Sequence, residues 1–228
     1  MQPGGNCRSD AAVKLAVFDC DGTLVDGQGA ICTAMETAFA SACLPLPDRA
    51  LVRRVVGLSL PHAVMRLAPE ADADTVRQVV DAYKNAFRAA RASGVLDEPL
   101  FEGIAELIAA LRGAGWVLAV ATGKSDRGLV HCLASHGLSD HFSSLQTADR
   151  HPSKPHPAML EAALAETLAG ADCAVMIGDT VFDMAMAVDI GVRPVGVGWG
   201  YHDAAELIEA GAVYVARTPK DLQEYLLG

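Results

Sequence analysis

The stretch LAVFDCDGTLVD, Leu15–Asp26, decides the fold, because an apolar run of strand length ends there in two acidic residues. The first four residues predict a short buried strand. Asp19 and Asp21 follow it, and Gly22 permits a sharp bend directly behind them. Residues two apart on an extended segment face the same side, so both carboxylates can reach one space. Because acidic side chains are rarely buried without a partner, this pair indicates a functional site.

Strands and helices alternate in the second half of the chain. After about Gly94, the strand patterns WVLAVAT, SSLQTA, CAVMIG, PVGVGWG and YVA are separated by amphipathic helical patterns. Such alternation implies right-handed crossovers and a parallel sheet with helices on both faces. The predicted fold class is therefore α/β, with a doubly wound, Rossmann-like parallel sheet as its core.

A long stretch without any strand pattern separates the first strand from the others. Between residues 26 and 96, apolar residues recur at three- and four-residue steps, as in amphipathic helices that pack together. We therefore expect an all-helical domain over residues 26–96, inserted at a loop of the core. The core is then made of residues 1–25 and 97–228.

Composition and charge exclude several classes of partner. Acidic residues outnumber basic ones 28 to 18, and the net charge of −10 repels nucleic acid and anionic membrane surfaces. The six cysteines are scattered without a C-x-x-C pair, which favours reduced thiols over a disulfide framework or a zinc site. The N-terminal residues lack the apolar core of a signal peptide, and no run is long enough to cross a bilayer. We predict a cytoplasmic protein, monomeric or homodimeric, without nucleic-acid or membrane partners.

Further polar residues follow the other predicted strands. Thr122 and Gly123 end the second strand, Lys154 lies in the loop after the third, and Asp179 follows the fourth, with Asp183 one helical turn later. In a doubly wound sheet, ligands bind outside the carboxyl ends of the strands. These residues are therefore expected to meet at one edge of the sheet.

The predicted cluster suits phosphoryl transfer with a divalent cation. Crowded carboxylates raise one another's pKa unless a cation intervenes, and Mg²⁺ commonly takes one or two carboxylates plus phosphate oxygens. One aspartate could attack phosphorus to form an acyl phosphate while its neighbour gives and later takes a proton. The Thr122 hydroxyl, the Gly123 amide and Lys154 could position and neutralise a phosphoryl group. Asp183 could orient that lysine or the water shell of the metal.

The segments DCDGTL, Thr122, SKPHP with Lys154, and GDTVFD together resemble the four motifs of the haloacid dehalogenase-like hydrolase superfamily. The resemblance runs through nearly the whole chain from about Leu15, and it is strongest to the phosphoglycolate phosphatase-like branch, whose helical C1-type cap follows the first motif. It implies that Asp19 is the nucleophile and that Asp21 is the general acid and base. It also implies that Mg²⁺ is held by Asp19, the backbone carbonyl of Asp21, and Asp179.

The same resemblance implies a set of substrate-binding residues. Thr122 and Lys154 would bind the phosphoryl group, and VVGLSL around Gly57 is similar to the substrate-facing loop of the cap. The complete predicted substrate-binding set is Gly22, Thr23, Gly57, Thr122, Gly123 and Lys154. The sequence departs from the family at Gly27, where many relatives have serine.

The predicted function is a Mg²⁺-dependent phosphatase that hydrolyses a small phosphate monoester, such as phosphoglycolate or a sugar phosphate. A haloacid dehalogenase has no need for Asp21 or Asp179, and a sugar-phosphate mutase often has valine or isoleucine at the position of Thr23. A phosphonatase needs a cap lysine, but Lys84, the only lysine of the insertion, is expected on a polar helix face. The alternative from a different class is a catalytically silent small-molecule binding module.

Two further expectations concern single side chains. Cys20 lies between the two aspartates, but alternation along the strand directs its side chain into the core. Among the cations of the insertion, Arg53, Arg54 or Arg66 could hold a substrate anion, although a solvated face is the simpler interpretation.

Overall fold

Six strands form one parallel sheet in residues 12–228, the part of the chain that the structure, a computed structural model, describes. The strands are β1 (Leu15–Phe18), β2 (Val117–Thr122), β3 (Ser144–Thr147), β4 (Ala174–Gly178), β5 (Arg193–Val197) and β6 (Tyr214–Ala216). Their order is β3-β2-β1-β4-β5-β6, and every neighbouring pair is parallel. The order reverses at β1, which places the switch point of the sheet at the loop after Phe18.

Helices cover both faces of this sheet. They are α5 (Ile104–Gly113), α6 (Asp126–Ser135), α7 (Ala158–Thr167), α8 (Val181–Asp189), α9 (Ala204–Glu209) and α10 (Pro219–Leu227). Every residue of β1 is buried, because its alternate side chains enter two separate apolar clusters, one on each face. Burial on both faces explains why this strand is a continuous apolar run. The predicted α/β, Rossmann-like fold class is confirmed.

Four helices lie between β1 and α5. They are α1 (Gln28–Ser41), α2 (Arg49–Arg54), α3 (Leu60–Leu67) and α4 (Ala73–Ala92), and we call them the four-helix group. They pack around an apolar cluster of their own that includes Phe39, Val64 and Val79. The two chain segments that join the group to the sheet run side by side, since the Asp26 amide donates to the Pro99 carbonyl at 2.8 Å. The assignment of residues 26–96 to a separate domain stays a prediction.

The cysteines agree only partly with the expectation of reduced thiols. Free thiols are found at Cys20, Cys32, Cys43 and Cys132. The side chain of Cys20 is fully buried in the core, 3.9 Å from the Cys132 sulfur, as predicted. Cys173 is disulfide-bonded, so the expectation is wrong for that residue, and Cys7 lies outside the described residues. Among residues 12–228, no helix combines the length and the apolar character needed to span a membrane.

Candidate active site

The loop that follows β1 places Asp19 at the centre of a polar cluster. Gly22 has a positive φ of 85°, and a Cβ atom there would lie 2.2 Å from Oδ2 of Asp179. Only glycine therefore combines this backbone conformation with so close an approach to the β4–α8 loop. The bend predicted at Gly22 is confirmed, and its consequence is that two strand-end loops meet.

Asp19 is fully buried and keeps one carboxylate oxygen without a partner. Its Oδ1 accepts a hydrogen bond from the Cys20 amide at 2.6 Å and lies 3.1 Å from Nζ of Lys154. Its Oδ2 has no hydrogen-bond partner among the described residues. Burial raises the pKa of Asp19 to about 7, and the neighbouring Lys154 only partly opposes that rise. Because Oδ2 of Asp19 is buried without a hydrogen-bond partner, it is available to a cation or to an electrophile.

Lys154 supplies the positive charge beside this carboxylate. Its Nζ donates to Oδ1 of Asp183 at 2.6 Å, and both side chains are buried. Asp183 is fixed in turn by Thr180, which forms a capping box with it at the start of α8. Burial opposes the charge on Lys154, but Asp183 and Asp19 outweigh it and raise the pKa of the ammonium to about 12. Asp183 therefore orients the lysine directly.

Asp179 completes the cluster from the end of β4. Its Oδ1 accepts from the Thr23 hydroxyl at 2.8 Å, and its Oδ2 accepts from the Tyr201 amide at 2.9 Å. The Thr23 hydroxyl, predicted to bind substrate, binds this carboxylate because the two loops are in contact. Burial raises the pKa of Asp179 well above its usual value.

The donor set fits a hard divalent cation. Carboxylate oxygens of Asp19, Asp179 and Asp183 all lie within 4.8 Å of one another, and Asp19 adds its unpartnered Oδ2. Three buried carboxylates at this spacing favour an oxygen-seeking ion. The side chain of Asp21 is not part of this group.

Asp21 takes part in an ion-pair network that the sequence did not reveal. Nζ of Lys124 lies 2.7 Å from Oδ1 of Asp21 and 2.7 Å from Oε1 of Glu98, and all three side chains are nearly buried. A Cβ atom on Gly27 would lie 3.0 Å from the same Asp21 oxygen. Lys124 therefore links the loop after β1, the loop after β2 and the segment that leads back from the four-helix group.

Thr122 and Gly123 lie against the four-helix group. The Thr122 hydroxyl is buried and accepts a hydrogen bond from the Lys124 amide at 3.2 Å. A Cβ atom on Gly123 would lie 2.5 Å from the carbonyl oxygen of Leu58 and 2.7 Å from that of Gly57. The α2–α3 loop thus touches the phosphate-binding position predicted at the end of β2.

A cavity of about 430 Å³ lies between this edge of the sheet and the four-helix group. Five of the predicted site residues line it: Asp19, Asp21, Gly57, Thr122 and Gly123. Lys154 lines a neighbouring pocket instead, and the cations Arg53, Arg54 and Arg66 do not line the cavity. Lys84, Arg88 and Arg91 of α4 do, so the polar face expected for Lys84 is turned toward the site.

Comparisons with known proteins show which family the chain belongs to. The model of the family described as haloacid dehalogenase-like hydrolase matches residues 16–197. "Probable phosphatase IndB" of Dickeya dadantii is 37% identical over 199 residues, which cover 85% of this chain and 84% of that protein. A phosphoglycolate phosphatase of Vibrio cholerae is 26% identical, with 95% and 98% of the two chains covered.

Solved structures show the same fold. The crystal structure of a "predicted phosphatase" from Clostridium acetobutylicum superposes with a TM-score of 0.85 at 25% identity, covering 95% of this chain and 99% of that one. The family match spans most of the chain and includes every predicted site residue. The chain belongs to the haloacid dehalogenase-like hydrolases.

Proposed function

We propose that the protein is a Mg²⁺-dependent phosphatase that hydrolyses a small phosphate monoester through an aspartyl phosphate on Asp19. The observation that carries the proposal is the buried carboxylate of Asp19, whose Oδ2 is unpartnered and whose Oδ1 lies 3.1 Å from Lys154. One of its oxygens also lies within 4.8 Å of oxygens of two more carboxylates. The names of the phosphatase relatives support the reaction class. We further propose a cytoplasmic enzyme, monomeric or homodimeric, without nucleic-acid or membrane partners.

The first chemical step would use Asp19 and Asp21. Oδ2 of Asp19 attacks phosphorus, the bond from phosphorus to the ester oxygen breaks, and a proton from the Asp21 carboxyl goes to the leaving alcohol. In the second step, Asp21 takes a proton from a water molecule that attacks the same phosphorus, which releases phosphate and restores the Asp19 carboxylate. Asp21 lines the cavity beside Asp19, as these roles require.

Other residues would hold the phosphoryl group and the ion. The Thr122 hydroxyl, the Gly123 amide and the Lys154 ammonium are the donors for the phosphoryl oxygens. Asp19, Asp179 and the backbone carbonyl of Asp21 would bind Mg²⁺, which supplies neutralisation of the crowded negative charge when bound. Thr23 and Asp183 act through their partners, because each is hydrogen-bonded to a residue of the cluster.

We also propose that residues 26–96 form a cap that closes over the bound substrate. The four-helix group meets the sheet edge where the Ser59 amide donates to the Ser153 hydroxyl at 2.8 Å and where Arg54 pairs with Glu206 at 2.6 Å. Apolar packing of Val55, Leu58 and Ala63 against Phe182 accompanies these polar contacts. Closure would exclude bulk water during phosphorylation of Asp19.

Release of inorganic phosphate from a panel of phosphate monoesters tests the proposal. We expect turnover with Mg²⁺, its loss in excess chelator, and a decrease of about 10⁴-fold or more for Asp19→Asn. The matched control is Asp172→Asn, because Asp172 lies in the turn before β4, outside the cluster. Equal rates for the wild-type protein and Asp19→Asn would refute the proposal, and transfer of phosphate between sugar positions without release would favour the mutase.

A further inference from the structure

Helix α4 places three cations along the wall of the cavity. Lys84, Arg88 and Arg91 follow one another at steps of four and three residues, so they share one helix face, and all three line the cavity that contains Asp19. The same face carries Tyr83 and Phe87, whose rings pack with their centroids 4.9 Å apart. A cationic row and an aromatic pair therefore face the reacting carboxylate together.

These cations have no acidic partner in the described chain. The ion pair formed within α4 is Arg77 with Asp74, at the opposite end of the helix, and neither residue lines the cavity. Nε of Arg91 is buried without a hydrogen-bond partner among residues 12–228. Lys84 and Arg88 are exposed, whereas Arg91 is half-buried. A buried guanidinium donor without a partner is costly, so a bound anion would stabilise this site.

The rest of the cavity wall is partly apolar, although Lys124, Arg127 and Asp149 also line it. Ile31, Met35, Val52 and Val56 extend the surface that begins at the aromatic pair. The cavity volume of about 430 Å³ lies within the range of roughly 300–1,000 Å³ that is typical of small-molecule sites. The cavity thus combines a predicted phosphoryl site, an apolar surface and a row of cations.

We propose that the substrate is a phosphate monoester whose alcohol carries an apolar body of ring size and a second anionic group. This inference rests on the proposed phosphatase function. The ring-sized body packs on Tyr83 and Phe87, and the anion is bound by Arg91 with support from Arg88 and Lys84. A guanidinium can bind a carboxylate or a phosphate through two parallel hydrogen bonds, which makes Arg91 the specificity-determining residue.

Aryl phosphates that differ in one substituent test this assignment. The panel contains carboxyphenyl, phosphonophenyl and carbamoylphenyl phosphate, each as the 3- and 4-isomer, so that the neutral carboxamide matches the carboxylate in size. We expect kcat/KM for the better anionic isomer to exceed that for its carbamoyl counterpart by about 10-fold or more, the factor for one hydrogen bond to a charged group. The carboxylate and phosphonate arms show which anion the site prefers.

Substitutions on α4 locate the effect. Arg91→Met should reduce the preference to near unity, Arg91→Lys should retain part of it, and Arg88→Met should reduce it less. The matched control is Arg77→Met, on the same helix but away from the cavity, which should leave the preference unchanged. Thermal melts confirm that each variant is folded. If Arg91→Met does not fold, the inference is tested by the wild-type ratio of kcat/KM between the anionic and carbamoyl esters and by the change of that ratio in Arg88→Met.

The outcomes separate this inference from the function on which it rests. If the neutral ester is hydrolysed with Mg²⁺ but the wild-type ratio is near one, or if the folded arginine variants keep the preference, the inference is overturned and the phosphatase function stands. If the wild-type protein hydrolyses none of the esters and equals Asp19→Asn, the phosphatase function fails and the inference fails with it.

Discussion

Replacing Lys124 by methionine should destabilise the protein strongly, although the side chains have similar length. Lys124 is the cation between Asp21 and Glu98, at 2.7 Å from an oxygen of each, and the three side chains are 9%, 13% and 6% exposed. Burial opposes the charge on Lys124, but the two carboxylates outweigh it and hold the pKa of the ammonium well above its usual value. The substitution would leave two nearly buried carboxylates without their counter-ion.

The expected cost follows from these contacts. At 2.7 Å, one ion pair is worth about 6 kcal/mol of gross Coulomb attraction at an effective dielectric constant of about 20. Desolvation cancels much of this, and breaking a buried pair typically costs about 3–5 kcal/mol. For a chain of this length, that loss lowers the midpoint of thermal unfolding by about 6–20 °C.

Urea unfolding of a double-mutant cycle in metal-free buffer measures the network. Glu98→Gln alone should cost only about 1–2 kcal/mol, because Lys124 keeps Asp21 as its partner. In the double variant only Asp21 loses its counter-ion, so its cost should fall short of the sum by about 1–3 kcal/mol. The control is Lys220→Met, since Lys220 pairs with Glu224 on an exposed surface and should change stability by less than about 1 kcal/mol.

The reasoning is refuted if Lys124→Met costs no more than the control. Strict additivity of the two substitutions would also contradict it, because it would show that Lys124 and Glu98 stabilise the fold independently.

Three further predictions concern the metal and the phosphate loop. Burial raises the pKa of Asp19 to about 7, so below that pH Mg²⁺ must displace a proton from this carboxyl. Calorimetry should therefore show that the affinity for Mg²⁺ rises between about pH 5.5 and 7 and that binding releases protons. A pH-independent affinity would contradict this. Thr23→Val removes a hydrogen bond to Asp179 and should weaken Mg²⁺ binding about 10-fold or more in the same assay. An unchanged affinity for Mg²⁺ would show that Thr23 has no positioning role. Gly123→Ala would place a Cβ atom 2.5 Å from the α2–α3 loop and should raise KM about 10-fold. The control is Gly113→Ala, where no atom lies within 4 Å of the added Cβ and KM should not change. Equal KM values for the two variants would contradict the close contact at Gly123.

Local sequence patterns predicted the sheet and the residues at its edge. Apolar runs that are buried on both faces, as in β1, end at acidic or hydroxyl residues, and parallel topology brings those ends together. The bend at Gly22 was also predictable, because a glycine directly after an acidic pair indicates one, whereas the approach of that loop to Asp179 was not. These features depend on residues near one another in the chain and on a topology with few alternatives.

The ion-pair network of Lys124 and the position of the α4 cations along the cavity were not predictable in the same way. Glu98 stands in a polar segment that resembles a linker, and its burial depends on two chain segments that lie side by side. Arg88 and Arg91 follow the polar periodicity of a solvated helix face, and only the tertiary position of α4 turns that face toward Asp19. Lys124 follows Thr122 and Gly123 directly, and this proximity was the one available signal.

The most direct test of the central claim is to identify the residue that becomes phosphorylated. Protein mixed with Mg²⁺ and a turned-over ester is quenched in acid during the steady state, reduced with borohydride and mapped by peptide mass spectrometry. We expect the peptide that contains Leu15–Asp26 to carry homoserine in place of Asp19, and we expect no such product without ester. Reduction at another carboxylate, or an unmodified peptide during a full burst of phosphate release, would contradict the account.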